Sequence, residues 1–396
     1  MVKAPNLCVI CKGGKYLCGN KPCPLLARLN IAPKIAGDLD ETFFGPSTSV
    51  FVGHIGYPKV NFGPIGLLGE NKIIEDPSKW FGLSYEKIIE MRSLVVRAKK
   101  LKNVKYFDRM VEESQLIAAS KKPVDVEIFF KEKPKYKFSF SDITQPIGAS
   151  GKVSFMKVVG NPKISHRVEY ILNDELKATD QITLLHKKLD IYKITNIFSS
   201  GALGVDKKIV PTRWRITAVD DILAKEMMKR IREYREVEKF YVYESEYLHN
   251  HFVILLMPGK WEFENFEAWA PGSTWARGVK EVQILEEYEP FYGRTKYAEL
   301  EGGGYYASRF SVCEYMDKIK RQAKVVVFRE ISEGYVIPVG VWEVRENVRN
   351  AFRNKPVIFS NLTEALNHVS LKLRIPISEY KKKSKILTQR RIFEFQ

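Results

Sequence analysis

The stretch His251-Phe252-Val253-Ile254-Leu255-Leu256-Met257 consists almost entirely of aromatic and aliphatic residues. A short apolar run of this kind is typical of a β-strand. Comparable runs follow at residues 282–285, 324–328 and 335–341. The part of the chain from residue 251 onward is therefore predicted to be β-rich.

The rest of the sequence indicates both strands and helices. Residues 124–130 alternate between apolar and polar side chains, as a half-buried strand does. A helix is predicted from Ser84, as its N-cap, to about Lys100, and another begins after Asn361. Together these patterns predict an α+β fold, a mixed multi-domain chain with a β-rich C-terminal half.

Length and charge limit the class of protein. At 396 residues the chain is too long for one ordinary core, so two or three domains are expected. Its net charge of +17 suits a polyanionic partner such as DNA, although lysine-rich surfaces are also common in thermophilic proteins. No apolar run is long enough to span a membrane, and residues 1–6 lack the apolar core of a signal peptide. We expect a cytoplasmic protein, in which cysteines are metal ligands more often than disulfides.

Four cysteines lie close together near the N-terminus, at Cys8, Cys11, Cys18 and Cys23. A segment this short cannot bury a core of its own, whereas four thiolates on one divalent ion would order it. The gap between Cys8 and Cys11 suits two ligands of one ion. The sequence thus predicts a small zinc knuckle (Zn²⁺), with an iron–sulfur cluster or reduced structural cysteines as the alternatives. Lysines within the segment, Lys12 and Lys15 among them, either contact phosphates or offset the thiolate charge.

The densest motif lies at residues 196–221, where a Ser-Ser-Gly loop precedes Arg213-Trp214-Arg215. A guanidinium beside an indole can hold a phosphate while the ring stacks on a base. These three residues are therefore predicted to bind nucleic acid. The alternative is a strand with the tryptophan in the core and two solvated arginines. Asp220 or Asp221 is expected to cap a helix that runs from Ile222 to about Lys239.

The last eight residues place Gln389, Ile392 and Phe395 three positions apart. In one helical turn Ile392 and Phe395 share a side and form an apolar plug, while the amide of Gln389 can hydrogen-bond at a pocket rim. This spacing resembles the motif by which replication and repair proteins bind the sliding clamp PCNA, although Gln396 stands where a second aromatic residue is often found. The lysines at 381–385 are expected to stay solvated. The alternative is a C-terminal edge strand.

The cysteine cluster, the segment Phe51–Pro58, the block Val210–Asp221 and the clamp-type terminus occur together in this chain. Their combination resembles the archaeal Nre family of DNA repair proteins over nearly the whole chain, and the block Val210–Asp221 is its most specific part. The resemblance implies a role in DNA damage repair and a link to PCNA through Gln389, Ile392 and Phe395. It implies no catalytic residues.

With that resemblance, four domains are predicted: a zinc knuckle at 1–26, an Nre-type N-terminal α+β domain at 27–280, an Nre-type C-terminal α+β domain at 281–380, and a flexible basic tail at 381–396. The leading hypothesis is a DNA-binding repair factor recruited to PCNA.

Two further hypotheses remain open. One is an enzyme acting on nucleic acid, either nuclease-like or an NAD-dependent ADP-ribosyltransferase; the other is an RNA-binding translation factor. Convergence of several charged residues in one cleft would favour the enzyme: Arg213, Asp220, Asp221, Glu244, Glu246 and Glu267.

Overall fold

The computed structural model describes residues 7–12, 15, 17, 39–68, 76–136, 148–276, 278–335 and 338–388. The chain divides into two compact units. The barrel unit comprises Ala27–Phe140 and Thr144–Leu223, and the sheet unit comprises Met1–Leu26, Ser141–Ile143 and Ala224–Gln396. Each unit combines helices with one β-sheet, so the predicted mixed α+β class is confirmed. None of the helices in the described ranges is long and apolar enough to cross a membrane.

Five strands close into a barrel at the centre of the barrel unit: β1 (Thr42–Val52), β2 (Lys59–Leu67), β3 (Val95–Asn103), β4 (Val124–Phe130) and β5 (Ala149–Val158). Their order around the barrel is β1-β2-β3-β5-β4, and β4 pairs back to β1. All neighbouring pairs are antiparallel except β3 and β5, which run parallel. The first half of the chain thus forms a barrel of its own, in addition to the strands predicted for the C-terminal half.

Strand β1 is long enough to pair with both of its neighbours. Residues 42–47 pair with β4 and residues 47–52 pair with β2, and the register shifts between Ser47 and Ser49. Such a bulge bends a strand, which helps the barrel to close. Because side chains alternate along each strand, apolar residues such as Val50, Phe62 and Ile128 point inward and are buried.

Helix α1 (Leu7–Cys11) belongs to the sheet unit. The barrel unit contains α2 (Tyr85–Ser93), α3 (Arg109–Ala119), α4 (His166–Asn173), α5 (Ala178–His186), α6 (Ile191–Ser199) and the start of α7 (Thr212–Ile231). The predicted cap of α2 is confirmed, because the Ser84 side chain accepts a hydrogen bond from the Lys87 backbone N–H. The helix ends at Ser93 rather than near Lys100, since Val95 and the residues after it form β3.

Helix α7 corrects two predictions made for the block around Trp214. It begins at Thr212 rather than at Ile222. Pro211 immediately precedes it, a place where a missing backbone N–H is tolerated because the first turn has no partner for it. Asp220 and Asp221 consequently lie in the middle of the helix and do not cap it. Trp214 lies on the helix and is exposed, so it is not part of a buried strand.

The sheet unit is built on six strands: β6 (Phe240–Tyr247), β7 (Asn250–Met257), β8 (Glu262–Trp269), β9 (Gln283–Glu289), β10 (Lys324–Ile331) and β11 (Val357–Phe359). Their order is β11-β6-β7-β10-β8-β9, and only β10 and β8 are parallel neighbours within this sheet. The predicted strands at 251–257, 282–285 and 324–328 are confirmed. The predicted strand at 335–341 is not, since its described residues include no strand and the Val339 N–H donates to the Tyr335 hydroxyl.

Helices pack on both faces of this sheet. On one face, Tyr305 of α8 (Gly303–Ile319) contacts Phe263 of β8 with 5.4 Å between ring centroids, and α9 (Trp342–Ala351) lies on the same side. On the other face, α10 (Leu362–Lys372) and α11 (Ile377–Lys381) contribute Val369 and Tyr380 to a core with Phe266 and Phe328. The predicted cap of α10 is confirmed: Asn361 accepts from the Glu364 N–H at 2.9 Å.

Candidate nucleic-acid interface

The turn that joins β1 to β2, residues 53–58, lies at one end of the barrel. Gly56 has a φ of +84°, and its carbonyl accepts a hydrogen bond from the Lys59 N–H at 2.9 Å. A Cβ at Gly56 would stand 2.9 Å from the Lys59 carbonyl oxygen, so glycine suits both the backbone angle and the space. The turn holds Tyr57 with 48% of its surface exposed.

Trp214, on the first turn of α7, contacts Tyr57. The two ring centroids are 5.0 Å apart with an angle of 58° between the planes, and Trp214 is 44% exposed. The Val52 N–H donates to the Thr212 hydroxyl at 3.0 Å, which fixes the start of α7 to the end of β1. Two exposed aromatic rings held in contact offer stacking faces for nucleic-acid bases.

Arg213 supplies positive charge beside the same turn. Burial lowers the pKa of His54, and the positive charge of Arg213 lowers it further. The guanidinium is therefore close to the turn, and His54 is neutral at pH 7. The cationic character of this turn comes from Arg213 rather than from the histidine.

Arg215 has a different environment. Its Nη1 donates to Asn196 Oδ1 at 2.8 Å and to the Thr195 carbonyl at 3.3 Å. Both acceptors belong to α6, so the guanidinium joins α7 to α6. We interpret Arg215 as a positioning residue that holds the first turn of α7 in place, whereas Arg213 and Trp214 remain at the surface as predicted ligand contacts.

The loop after β3 brings further residues to the same end of the barrel. The Val104 N–H donates to the Pro58 carbonyl at 3.0 Å, which ties this loop to the β1–β2 turn. Tyr106 is exposed there, with Lys102 Nζ 5.4 Å from its ring centroid. We call the resulting set the aromatic–basic surface: Tyr57, Lys59, Tyr106, Arg213 and Trp214.

The structure describes part of the predicted zinc knuckle. Cys8 and Cys11 stand three residues apart on α1, and Cys11 is buried. Cys18 and Cys23 lie outside the described residues. Across the described ranges, no group of three or more His, Cys, Asp or Glu side chains could hold a metal ion. The one-turn separation of Cys8 and Cys11 is compatible with two ligands on one ion.

The lysines beside these cysteines have protein partners. Lys12 Nζ donates to Glu267 Oε2 and to the Glu301 carbonyl, both at 2.8 Å. Lys15 Nζ donates to the Glu299 carbonyl at 2.5 Å. These contacts attach the N-terminal segment to the rest of the sheet unit, which makes Lys12 and Lys15 poor candidates for phosphate binding.

The clamp-binding residues Gln389, Ile392 and Phe395 also lie outside the described residues. Of the lysines before them, Lys382, Lys383 and Lys385 are exposed, as predicted, while other residues of this stretch pack on the sheet unit. Ser384 and Ile386 are buried, and the Ser384 hydroxyl and the Lys385 N–H both donate to Glu264. The packed chain therefore extends beyond residue 381.

The carboxylates proposed for an enzyme on β6 are engaged in ion pairs. Glu244 accepts from His251 Nε2 at 3.0 Å and lies 2.7 Å from Lys372 Nζ. Glu246 lies 3.5 Å from Arg374 Nη2. Both point to the face that packs against α10 and α11.

Glu267, on β8, points to the opposite face of that sheet. It is fully buried, and its Oε1 accepts from Arg329 Nη1 at 2.7 Å. Burial alone would raise the pKa of Glu267, but Lys12 and Arg329 outweigh it and hold the pKa below its usual value. Glu244, Glu246 and Glu267 thus do not share a cleft within the sheet unit. Asp220, which is buried, and Asp221 belong to α7 in the barrel unit.

Two family models match this chain. "Archaeal Nre, N-terminal" matches residues 17–276, and "Archaeal Nre, C-terminal" matches residues 289–395. The chain belongs to the archaeal Nre family. Within this Nre chain, Arg213, Trp214 and Arg215 fall inside the N-terminal match, and the last three candidate residues fall inside the C-terminal one: Gln389, Ile392 and Phe395.

Several curated Nre proteins are similar over almost their whole length. The chain is 35% identical to the DNA repair protein NreB of Archaeoglobus fulgidus over 395 residues. The aligned region covers 98% of this chain and 99% of that protein. It is 36% identical to NreA of the same organism over 92% of this chain and 93% of that protein. NreA of Haloferax volcanii, also named a DNA repair protein, is 32% identical over 90% of this chain and 89% of its own length. No solved structure matches this Nre chain.

Proposed function

We propose that this Nre protein is a DNA damage repair factor that binds DNA through the aromatic–basic surface and is recruited to PCNA by its C-terminal residues. The relatives named as DNA repair proteins support the repair role. The observation that carries the DNA-binding part is the exposed contact between Tyr57 and Trp214 beside Arg213. Exposed aromatic side chains can stack on bases while a neighbouring cation attracts the phosphates, and proteins bind single-stranded nucleic acids in this way.

Charge sets the expected strength and salt dependence of binding. With a net charge of +17, the chain should attract DNA at a distance, and each neutralised phosphate releases condensed counterions. Affinity should therefore fall steeply between about 50 and 200 mM salt. Fluorescence anisotropy of labelled DNA with the full-length protein measures this directly.

Arg213→Ala should weaken that binding and flatten its salt dependence by about the amount of one phosphate contact. A matched control is Lys187→Ala, which removes an exposed cation from the end of α5 and should change neither value. DNA binding that does not respond to salt would contradict the proposal.

The clamp contact rests on Gln389, Ile392 and Phe395. Burial of an aliphatic or aromatic side chain in a pocket contributes roughly 1.5–3 kcal/mol, and ordering the peptide opposes it. We therefore expect an affinity on the order of micromolar, increased when DNA and clamp bind together. Because the chain is packed as far as Ser384 and Ile386, the clamp must approach closely: the eight residues after Thr388 span at most about 26 Å.

Zinc held by Cys8, Cys11, Cys18 and Cys23 is proposed as the structural metal. The helical spacing of Cys8 and Cys11 and the burial of Cys11 support this assignment. A closed four-thiolate site would supply order to the N-terminal segment and no chemistry to a reaction. Lys12 would then link the knuckle to the core of the sheet unit through Glu267.

A further inference from the structure

The barrel of this protein has the topology of the OB-fold. The strand order is β1-β2-β3-β5-β4, β3 and β5 form the parallel pair, and α3 connects β3 to β4. The first strand is long, bulged and shared between two neighbours. In OB-folds the outer face of the second and third strands and the adjoining loops bind oligonucleotides or oligosaccharides. Topology alone does not fix the ligand, which follows from the side chains on that face.

Arg97 is a buried cation on β3. Its side chain is only 9% exposed and lies opposite Ile65 of β2 and Ser150 of β5. The Nε atom makes no hydrogen bond, and Arg97 forms no ion pair with any carboxylate among the described residues. Burial, together with the positive charge of Arg92, lowers the pKa of Arg97 to about 10. Burying a charge without a counter-ion costs free energy, so an anion bound beside Arg97 would be stabilised by it.

An aromatic ring and a second cation lie near Arg97, and proteins bind nucleic-acid strands with groups of these two kinds. The Arg97 guanidinium lies 5.1 Å from the centroid of the Phe51 ring, and Lys99 Nζ lies 5.9 Å from the same ring. Arg97 and Lys99 are two residues apart on β3 and therefore share one face. Lys152 lies opposite Lys99 on the neighbouring strand β5 and is exposed. In such a group the cations bind a phosphate and the aromatic ring stacks on a base.

This group is continuous with the aromatic–basic surface. Phe51 is the penultimate residue of β1, and the chain runs from there directly into the turn that carries Tyr57. The backbone of Val52, the next residue, is hydrogen-bonded to Thr212 at the start of α7. A bound strand could therefore pass from Phe51 to Tyr57 and Trp214 without leaving the protein surface.

We propose that single-stranded DNA crosses the outer face of β1, β2 and β3, with one phosphate held by Arg97 and Lys99 and one base against Phe51. The following bases stack on Tyr57 and Trp214. This inference rests on the proposed DNA repair function and narrows its substrate to a single strand. A duplex fits less well because its bases are stacked on each other and cannot offer their faces to aromatic side chains.

The test uses Arg97→Met in the full-length protein, with labelled oligothymidylate and fluorescence anisotropy. Affinity should fall by about ten-fold or more, because charge-assisted hydrogen bonds to a phosphate are lost. The slope of log affinity against log salt should decrease by about 0.7, the value for one phosphate of a single strand. The unfolding temperature should stay the same or rise, since the substitution removes a buried charge that has no ion-pair partner among the described residues. Lys187→Ala is the matched control, and Arg97→Lys should retain part of the affinity.

Each other outcome has a defined meaning. Wild-type affinity in Arg97→Met would overturn the inference, and so would loss of folding, because it would show that contacts of Arg97 with the protein itself stabilise the barrel. If the wild-type protein bound duplex DNA but not oligothymidylate, the inference would fail and the proposed function would stand. If it bound neither, the proposed function itself would fail. Tighter binding of oligouridylate would assign the face to RNA and overturn the DNA assignment.

Discussion

Replacement of Arg329 by methionine should destabilise the sheet unit more than any surface charge substitution. Arg329 is 5% exposed and lies between two buried carboxylates: its Nη1 is 2.7 Å from Glu267 and its Nη2 is 3.5 Å from Glu343. Its Nε and Nη2 also donate to Asn250 Oδ1 at 3.0 and 2.7 Å. Methionine fills a similar volume but cannot satisfy any of these acceptors.

The expected cost follows from what remains buried. Removing one partner of a buried, hydrogen-bonded ion pair costs about 3–5 kcal/mol, because the other charge is left without compensation. Lys12 still faces Glu267 at 2.8 Å, which places the estimate at the lower end of that range. Burial raises the pKa of Glu343, and although Arg329 opposes this, the pKa is about 7. Without the arginine this carboxyl should therefore become neutral and not remain an unpaired anion.

Urea unfolding followed by tryptophan fluorescence measures the effect, since Trp269 lies 6.0 Å from the Arg329 guanidinium and reports on this region. The matched control is Arg230→Met, which breaks a partly exposed pair with Asp317 and should cost no more than about 1 kcal/mol. The difference between wild type and Arg329→Met should shrink only when the pH falls below 4.5, the ordinary pKa of a glutamate, because the cations hold the pKa of Glu267 lower and their contribution is lost on its protonation. An Arg329→Met cost equal to that of Arg230→Met would refute the reasoning.

Three further outcomes are expected. Elemental analysis should find about one zinc per chain, reduced in Cys8→Ser and Cys11→Ser, whereas iron with acid-labile sulfide would support the cluster alternative. Deleting Gln389 to Gln396 should abolish PCNA binding in a pull-down while DNA binding and folding persist, since the packed residues Ser384 and Ile386 remain; unchanged clamp binding would show that the contact lies elsewhere. Burial lowers the pKa of His251, but Glu330 and Glu244 outweigh it and raise the pKa above 6.5, so the stability that His251 contributes is present at pH 6 and lost at higher pH. His251→Gln should therefore cost more stability at pH 6 than at pH 8.5, and equal costs would contradict this assignment.

The sequence predicted correctly those helix caps and strands that depend only on neighbouring residues in the chain. The caps at Ser84 and Asn361 and the strands from 251, 282 and 324 follow from residues only a few positions apart. The end of α2 was misplaced, because the pairing of β3 with β2 and β5 decides where the strand begins. The start of α7 also differs from the prediction, because the sequence indicated Asp220 or Asp221 as the cap, whereas the helix begins directly after Pro211.

The candidate site shows the same limit. The pattern Arg213-Trp214 could be recognised as a nucleic-acid contact, whereas the role of Arg215 depends on Asn196, which only the packing of α6 brings near. Arg97 carries no motif at all. Its role follows from its burial on a barrel face where the described residues place no carboxylate beside it. Such burial is a property of the folded barrel and not of the residues around Arg97 in sequence.

The most direct test of the account compares wild type with Trp214→Ala in binding to a DNA duplex that carries a single-stranded overhang. Loss of one stacking side chain should weaken binding by about ten-fold or more, given a contribution of about 1–3 kcal/mol per stacked base. Tyr292→Ala, which removes an 89% exposed aromatic residue from the sheet unit, should leave the dissociation constant unchanged. Equal dissociation constants for wild type and Trp214→Ala would contradict the claim that the aromatic–basic surface binds DNA.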